Sequence, residues 1–319
     1  MLVTIPARLR ASIRALVVTV LVVTVLVVGT SAVSVSVAQA DPELAALRVV
    51  ATTGHIGDAL QRIAPELDVF VLVGPGLDPH TYEASTRDIQ RLRNADLVFW
   101  NALDLEAQMA RQIRSLAERQ VALGERVPES LLLPFEGAVD PHIWNSTEIW
   151  TIVVHAIADA LAERLPAHAD AFAANAAAYA VEIAEADAYA RERLAAIPDA
   201  HRVLVSGHDA FNYFAVAYGF EALAIEGIST ADEASIQDLR DLADFIVERS
   251  VPVVFYENIT DRQATDALRE AVQARGWDVR VADQALYSDA LGDAPPLDTY
   301  LGTFLHNVDT IVEALGGAE

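Results

Sequence analysis

The triplet Asp-Pro-His occurs twice in the sequence, at Asp78-Pro79-His80 and Asp140-Pro141-His142, and two further segments carry polar ligands, SGHDAF around His208 and LYSDALGD around Asp289. A proline stiffens the backbone just ahead of each triplet histidine, and the aspartate can hold the neighbouring backbone or the imidazole. Three imidazoles and one carboxylate form a closed nitrogen and oxygen set that suits Zn²⁺ and would accept Mn²⁺ or Fe²⁺. Because the chain contains no cysteine, any metal site must be built from His, Asp or Glu. His155, His168, His201 and His306 fall at helical or strand-edge positions without a motif and read as structural. His55 follows the first strand and reads as either a residue at the mouth of the site or an auxiliary ligand. Ser206, His208 and Asp209 lie too close along one turn to supply the nucleophile, base and orienting group of a hydrolytic triad.

These residues need elements to bring them together. Between Arg48 and Leu123 the sequence alternates short β-branched runs with helical periodicity: strands near 47–53, 68–73, 96–100 and 120–123 are separated by helices near 56–64, from about 85 through Leu92, and through Leu116. A helix over 147–165 follows. The second half repeats the plan, with strands at 202–206, 222–225, 251–256 and 278–282, helices near 210–218, 236–250 and 261–273, and a closing helix over 299–315. Strands alternating with helices imply parallel sheets covered on both faces. The expected fold class is therefore α/β, with two lobes that each hold a four-stranded, mainly parallel sheet.

Between the halves lies a long alanine-rich stretch, 166–197, opened by Pro166 and stopped by Pro198. Phe172, Ala176, Tyr179, Ile183, Ala186, Ala190 and Leu194 follow one another at steps of three or four, which predicts one rigid helix about 45 Å long. The expected organisation is a lobe over 41–165, the connecting helix over 166–197 and a second lobe over 198–319. Ligands of open α/β sheets sit beyond the carboxyl ends of the strands. His80 follows the second strand, His208 follows RVLVS and Asp289 lies seven residues past DVRVA, while His142 sits in the loop before the last helix of the first lobe.

Residues 1–40 carry three arginines, a 13-residue apolar run from Leu16 to Val28 and small residues ending in Ala38-Gln39-Ala40. They read as a cleavable secretory signal peptide that leaves a mature chain beginning at Asp41, the run being shorter than the ~20 residues that span a bilayer. The formal charge is −24, and because residues 1–40 add three positive charges and no acid, residues 41–319 carry −27. That balance argues against nucleic acid as a partner.

VVATTGHIGDAL, VGPGLDPHTYEAS, ADLVFWNALDLE, DPHIW, SGHDAFNYFAVAYGFE and ALYSDALGD, in that order, resemble the signature segments of the high-affinity zinc/manganese solute-binding proteins of ABC transporters. The resemblance runs from Arg48 to Leu315. It implies two α/β lobes joined by one rigid helix, with an ion between them held by His80, His142, His208 and Asp289. It also implies a periplasmic or otherwise extracytoplasmic monomer that passes its ion to a membrane permease and catalyses no reaction. Histidine at 208 points to zinc, since family members with Glu there tend to be manganese receptors. Two features depart from the family pattern: Gly124 to Val139 contains no histidine, and Trp144 is followed by Asn145-Ser146-Thr147 where an aromatic or leucine and then Asp-Pro is usual. A manganese or iron receptor, a zinc-dependent hydrolase and an adhesin are the alternatives. Against the hydrolase stands the coordination count, because four protein ligands leave no position open for water.

Overall fold

The computed structural model describes residues 41–135, 137–231 and 234–316. The signal peptide expected over 1–40 lies outside them. Asp41 caps a short first helix, α1 (Pro42–Ala46), its side chain accepting from Glu43 N.

Four strands then form one parallel sheet. β1 (Val49–Ala51) lies between β2 (Val69–Val71) and β3 (Leu97–Trp100), and β4 (Gln120–Ala122) pairs with the outer side of β3. Their β-branched and aromatic composition reflects burial on both faces. In β3, Leu97 and Phe99 point into one core and Val98 and Trp100 into another, the period-two alternation expected of a strand. One face is covered by α2 (Gly54–Ile63) and the other by α3 (Thr86–Asn94) and α4 (Ala110–Arg114). Ser85 caps α3, with Asp88 completing a reciprocal capping box. A hairpin that the sequence pattern did not predict, β5 (Pro134–Phe135) with β6 (Ala138–Val139), delivers the chain to Asp140. α5 (Thr147–Arg164) follows.

The long helix is α6 (Ala169–Leu194), 26 residues or about 39 Å, shorter than the predicted 166–197 because residues Pro166–His168 form a 3₁₀ turn and Pro198 disfavours helix at the residue before it. Its buried residues are the seven of the predicted stripe. The first four, Phe172 to Ile183, pack into the core shared with β1, β3, α2 and α5. The last three, Ala186, Ala190 and Leu194, pack into a different core with strands and helices of the second half.

That second half is built on β7 (Val203–Ser206) paired with β8 (Glu221–Ala224), and β9 (Val253–Val254) paired with β10 (Arg280–Val281), both parallel. The expected four-stranded sheet is thus two parallel pairs, which meet through a hydrogen bond from Phe255 N to Val205 O of 2.8 Å. β9 spans only two residues of the predicted 251–256; Pro252, which has no N–H to give a ladder, stands just ahead of it. α7 (Asn212–Tyr218), α8 (Ile236–Arg249), α9 (Arg262–Gln273) and α10 (Tyr300–Leu315) cover these strands, α7 and α10 in the core with the end of α6, and α8 and α9 on the other face. The result is an α/β fold of two lobes with a long helix running through both cores. Among the described residues, no helix is long and apolar enough to cross a membrane.

Candidate metal centre

His80, His142, His208 and Asp289 converge in the structure: one ligand atom from each lies within 4.8 Å of every other, and all four side chains are buried. The loop after β2 brings His80, the strands β5 and β6 bring His142, His208 stands two residues beyond β7, and Asp289 follows β10. The backbone of each triplet histidine is fixed by its own aspartate. His80 N donates to Asp78 Oδ1 at 2.8 Å and His142 N to Asp140 Oδ1 at 2.9 Å.

The ring nitrogens show what the pocket is built to hold. His142 Nδ1 lies 2.8 Å from Asp140 Oδ1, and His208 Nδ1 lies 2.5 Å from Glu257 Oε2, while Glu257 Oε1 accepts from His208 N at 2.8 Å. A carboxylate acceptor fixes the proton on Nδ1 in the neutral ring, so Nε2 carries the lone pair. Yet the Nε2 atoms of His80 and His142 are 3.3 Å apart, as are those of His142 and His208. Asp289 Oδ2 sits 3.2 Å from Nε2 of both His80 and His208, its Oδ1 is 3.6 Å from His142 Nε2, and neither oxygen accepts a proper hydrogen bond. Lone pairs and two orphaned carboxylate oxygens facing one another in a buried pocket require a positive charge among them. Ligands at about 2.0 Å from a tetrahedral centre are separated by about 3.3 Å, close to these spacings.

In the absence of an ion, protons serve. Burial works against protonation of His142, but the carboxylates of Asp289 and Asp140 outweigh it and hold the ring up at about 9. His208 is likewise raised, with burial opposed by Glu257 and Asp289, and Asp289 is pulled well below the usual carboxylate range despite its burial, by His208 and His142.

The remaining histidines are elsewhere. His55 is neither at a mouth nor in the cluster: it is buried, stacked on Trp144 with centroids 5.1 Å apart and flanked by Trp150 and Tyr300. Burial lowers it to about 4, with Asp289 opposing, so the ring is neutral. His306 Nε2 lies against Ala285 O, and His168 beside Asp41. Ser206 Oγ donates to His208 O rather than to the imidazole, which removes the triad geometry.

One residue of the site was missed by sequence reading. Glu257, at the carboxyl end of the strand next to β7, orients His208; an acid at a strand end facing the site was the available signal. Gly207 leaves room for it, since a Cβ there would stand 2.8 Å from Thr260 Oγ1 and 3.2 Å from Glu257 Oε1. The Asn145-Ser146-Thr147 departure is also accounted for. Ser146 caps α5 by accepting from Ile149 N, a task an aspartate can perform equally, and Asn145 Nδ2 donates across to Ala210 O at 2.8 Å. A cavity of about 390 Å³ lined by Arg48, Val50, Phe70 and Arg91 lies away from the cluster and shares none of its residues.

Two lobes on one helix, with a buried cluster of three imidazoles and a carboxylate that calls for positive charge, define a receptor that encloses a small cation. The family model described as the zinc-uptake complex component A, periplasmic (ZnuA), matches residues 49–314. The chain is 42% identical over 272 residues to the zinc-binding protein TroA of Treponema pallidum, covering 84% of this chain and 88% of that one. It is 38% identical over 275 residues to the manganese-binding lipoprotein MntA of Bacillus subtilis (84% and 90%), and 34% identical over 275 residues to the iron-binding protein YfeA of Yersinia pestis (84% and 86%). The solved structure of the periplasmic zinc-binding protein TroA superposes with a TM-score of 0.81, covering 84% of this chain and 98% of that one. The chain belongs to the ZnuA family of metal-transporter solute-binding proteins, and it is not an enzyme.

Proposed function

We propose that this protein captures one divalent transition-metal ion extracytoplasmically and delivers it to the membrane permease of an ABC transporter, with His80, His142, His208 and Asp289 as the four ligands. The observation that carries this reading is the set of imidazole lone pairs and unpartnered carboxylate oxygens facing one another at 3.2–3.6 Å in a buried pocket. Zinc is the preferred cargo: three imidazoles favour the borderline-soft ion, and zinc stands above manganese in ligand affinity. One observation favours a harder ion as the second reading. Both oxygens of Asp289 face the cluster, so a bidentate carboxylate would give a fifth donor, and relatives of comparable likeness bind manganese or iron.

The lobes are taken as 41–165 and 198–319, with 166–197 as the connector, and the protein acts as a monomer. Residues 1–40 are read as a signal peptide cleaved after Ala40, which leaves Asp41 in place to cap α1. Elemental analysis of protein purified without added metal, followed by competition of zinc against manganese and ferrous iron, tests the proposal. One equivalent of tightly held zinc is expected. A clear preference for manganese would overturn the choice of cargo, and failure to bind any divalent ion would overturn the function.

A further inference from the structure

Each Asp-Pro-His triplet spends its two carboxylate oxygens in the same way. Asp140 gives Oδ1 to the backbone and ring of His142, and its Oδ2 accepts from Asn212 Nδ2 at 3.1 Å. Asp78 gives Oδ1 to His80 N, and its Oδ2 accepts from Thr230 Oγ1 at 2.5 Å as well as from Thr81 Oγ1 at 2.7 Å. Asn212 opens α7 and Thr230 lies in the loop after β8, so both donors come from the second half of the chain while both carboxylates belong to the first. The Asn212 amide also lies against Asp209, next to His208, so that one side chain touches the neighbours of a ligand from each half. Neither Asn212 nor Thr230 can reach the ion's position directly; each acts through an aspartate.

We infer that Asn212 and Thr230 are positioning residues that make the aim of His142 and His80 depend on lobe closure, so that parting of the halves loosens two ligands of the other half together and speeds release of the ion. This rests on the metal-receptor reading above. When the halves are closed, each aspartate is held at both oxygens and its histidine is fixed at the backbone. When they part, the Asp140 carboxylate loses its anchor at Oδ2, the Asp78 carboxylate keeps only Thr81 of its own half there, and the histidine each supports is held less firmly. Outer partners of ligands commonly change metal affinity by about 10–100-fold.

The test uses the full mature chain and zinc itself. Thr230→Val keeps the shape of the side chain and removes the hydroxyl, Thr230→Ser restores the hydroxyl, and Asn212→Leu removes the amide at similar volume. Zinc dissociation into excess chelator is followed by stopped flow, alongside the melting temperature of the metal-free protein. Thr230→Val and Asn212→Leu are expected to release zinc about 10-fold faster or more with an unchanged metal-free melting temperature, and Thr230→Ser to release it at the parent rate. If both variants release zinc at the parent rate, or if Thr230→Ser is as fast as Thr230→Val, the inference is wrong. Failure of the unsubstituted protein to bind zinc, manganese or ferrous iron would instead strike at the function itself, which keeps the two failures distinct.

Discussion

His208 is the residue on which most of the site depends, since its ring meets Asp289 and His142 while Glu257 holds it at two atoms, the backbone N and Nδ1. Replacing it with alanine leaves two histidines of one half and one carboxylate of the other, and water must fill the gap. Zinc affinity is expected to fall by more than the ~100-fold upper range for an outer partner. His201, in a 3₁₀ turn away from the cluster, is the control. Competition against a zinc-sensitive chelator compares the two, and equal affinity of His208→Ala and His201→Ala would remove His208 from the ligand set. His208→Glu retains four ligands while adding a hard oxygen and a charge, so its preference should move toward manganese. Loading should also expel protons. With His142 held up at about 9, the metal-free ring is charged at neutral pH, and an entering ion must displace that proton. Apparent affinity is therefore expected to rise with pH up to about 9. A flat profile between pH 7 and 9 in isothermal titration would contradict this.

Elements decide which of these residues can meet. The segment from Trp144 into α5 illustrates how a departure in sequence can preserve structure, because Ser146 takes the capping position and Thr147 the first helical one. Ser146→Ala should cost about 1 kcal/mol, seen as a fall of roughly 2–4 °C in melting temperature, whereas Ser146→Asp should be near neutral. A Ser146→Ala protein as stable as the parent would show that the cap is idle. The sequence made the α6 stripe fully legible because period and composition agreed over seven turns, and the four residues that cluster were legible because strand ends and repeated triplets mark them. Glu257 was not, since an acid in a loop has no local signature until its strand is known to lie beside β7. The short hairpin β5–β6 was hidden because two-residue strands leave no periodicity to read. The division of the second sheet into two pairs was equally silent, because it reflects how few backbone hydrogen bonds join β7 to β9, such as that from Phe255 to Val205, and side-chain pattern does not record them.

For the whole molecule, the same electrostatics link cargo to stability. A ring whose folded value is raised from 6.5 to about 9, as for His142, contributes stability that is complete below pH 6.5 and is lost as pH climbs through 9. His55 acts in the opposite sense: lowered to about 4, it contributes nothing above pH 6.5 and destabilises the fold as pH falls from 6.5 toward 4. Between pH 4.5 and 6.5 the His55 effect is opposed by Glu106, which burial raises from 4.5 to about 7 and which loses stability as pH climbs through that range, so the decline expected of the metal-free protein is the alkaline one, through pH 9. Added zinc should lift the alkaline side most, since affinity is rising there. His55→Phe, which keeps the ring between Trp144 and Trp150, should raise the melting temperature at pH 5 relative to pH 7 compared with the parent, without altering the alkaline side. A difference between the two pH values equal to the parent's would show that His55 has no such effect.

The long helix has one more consequence. Its buried stripe changes allegiance between Ile183 and Ala186, within a single turn, and no proline or glycine interrupts α6. Such a shaft cannot fold like a hinge; it can only flex. With the first half holding about 23 Å of it and the second about 14 Å, a flexure of about 10° at the changeover displaces the two ends by only about 4 and 2 Å. That short stroke is nonetheless comparable to the 3.3 Å separating the imidazole nitrogens, so a movement hardly visible in the outline of the molecule would part donors that must all meet one ion. Spin labels placed on α3 and α9 should therefore report a change of a few ångströms between loaded and empty protein, and a change of tens of ångströms would require α6 to break.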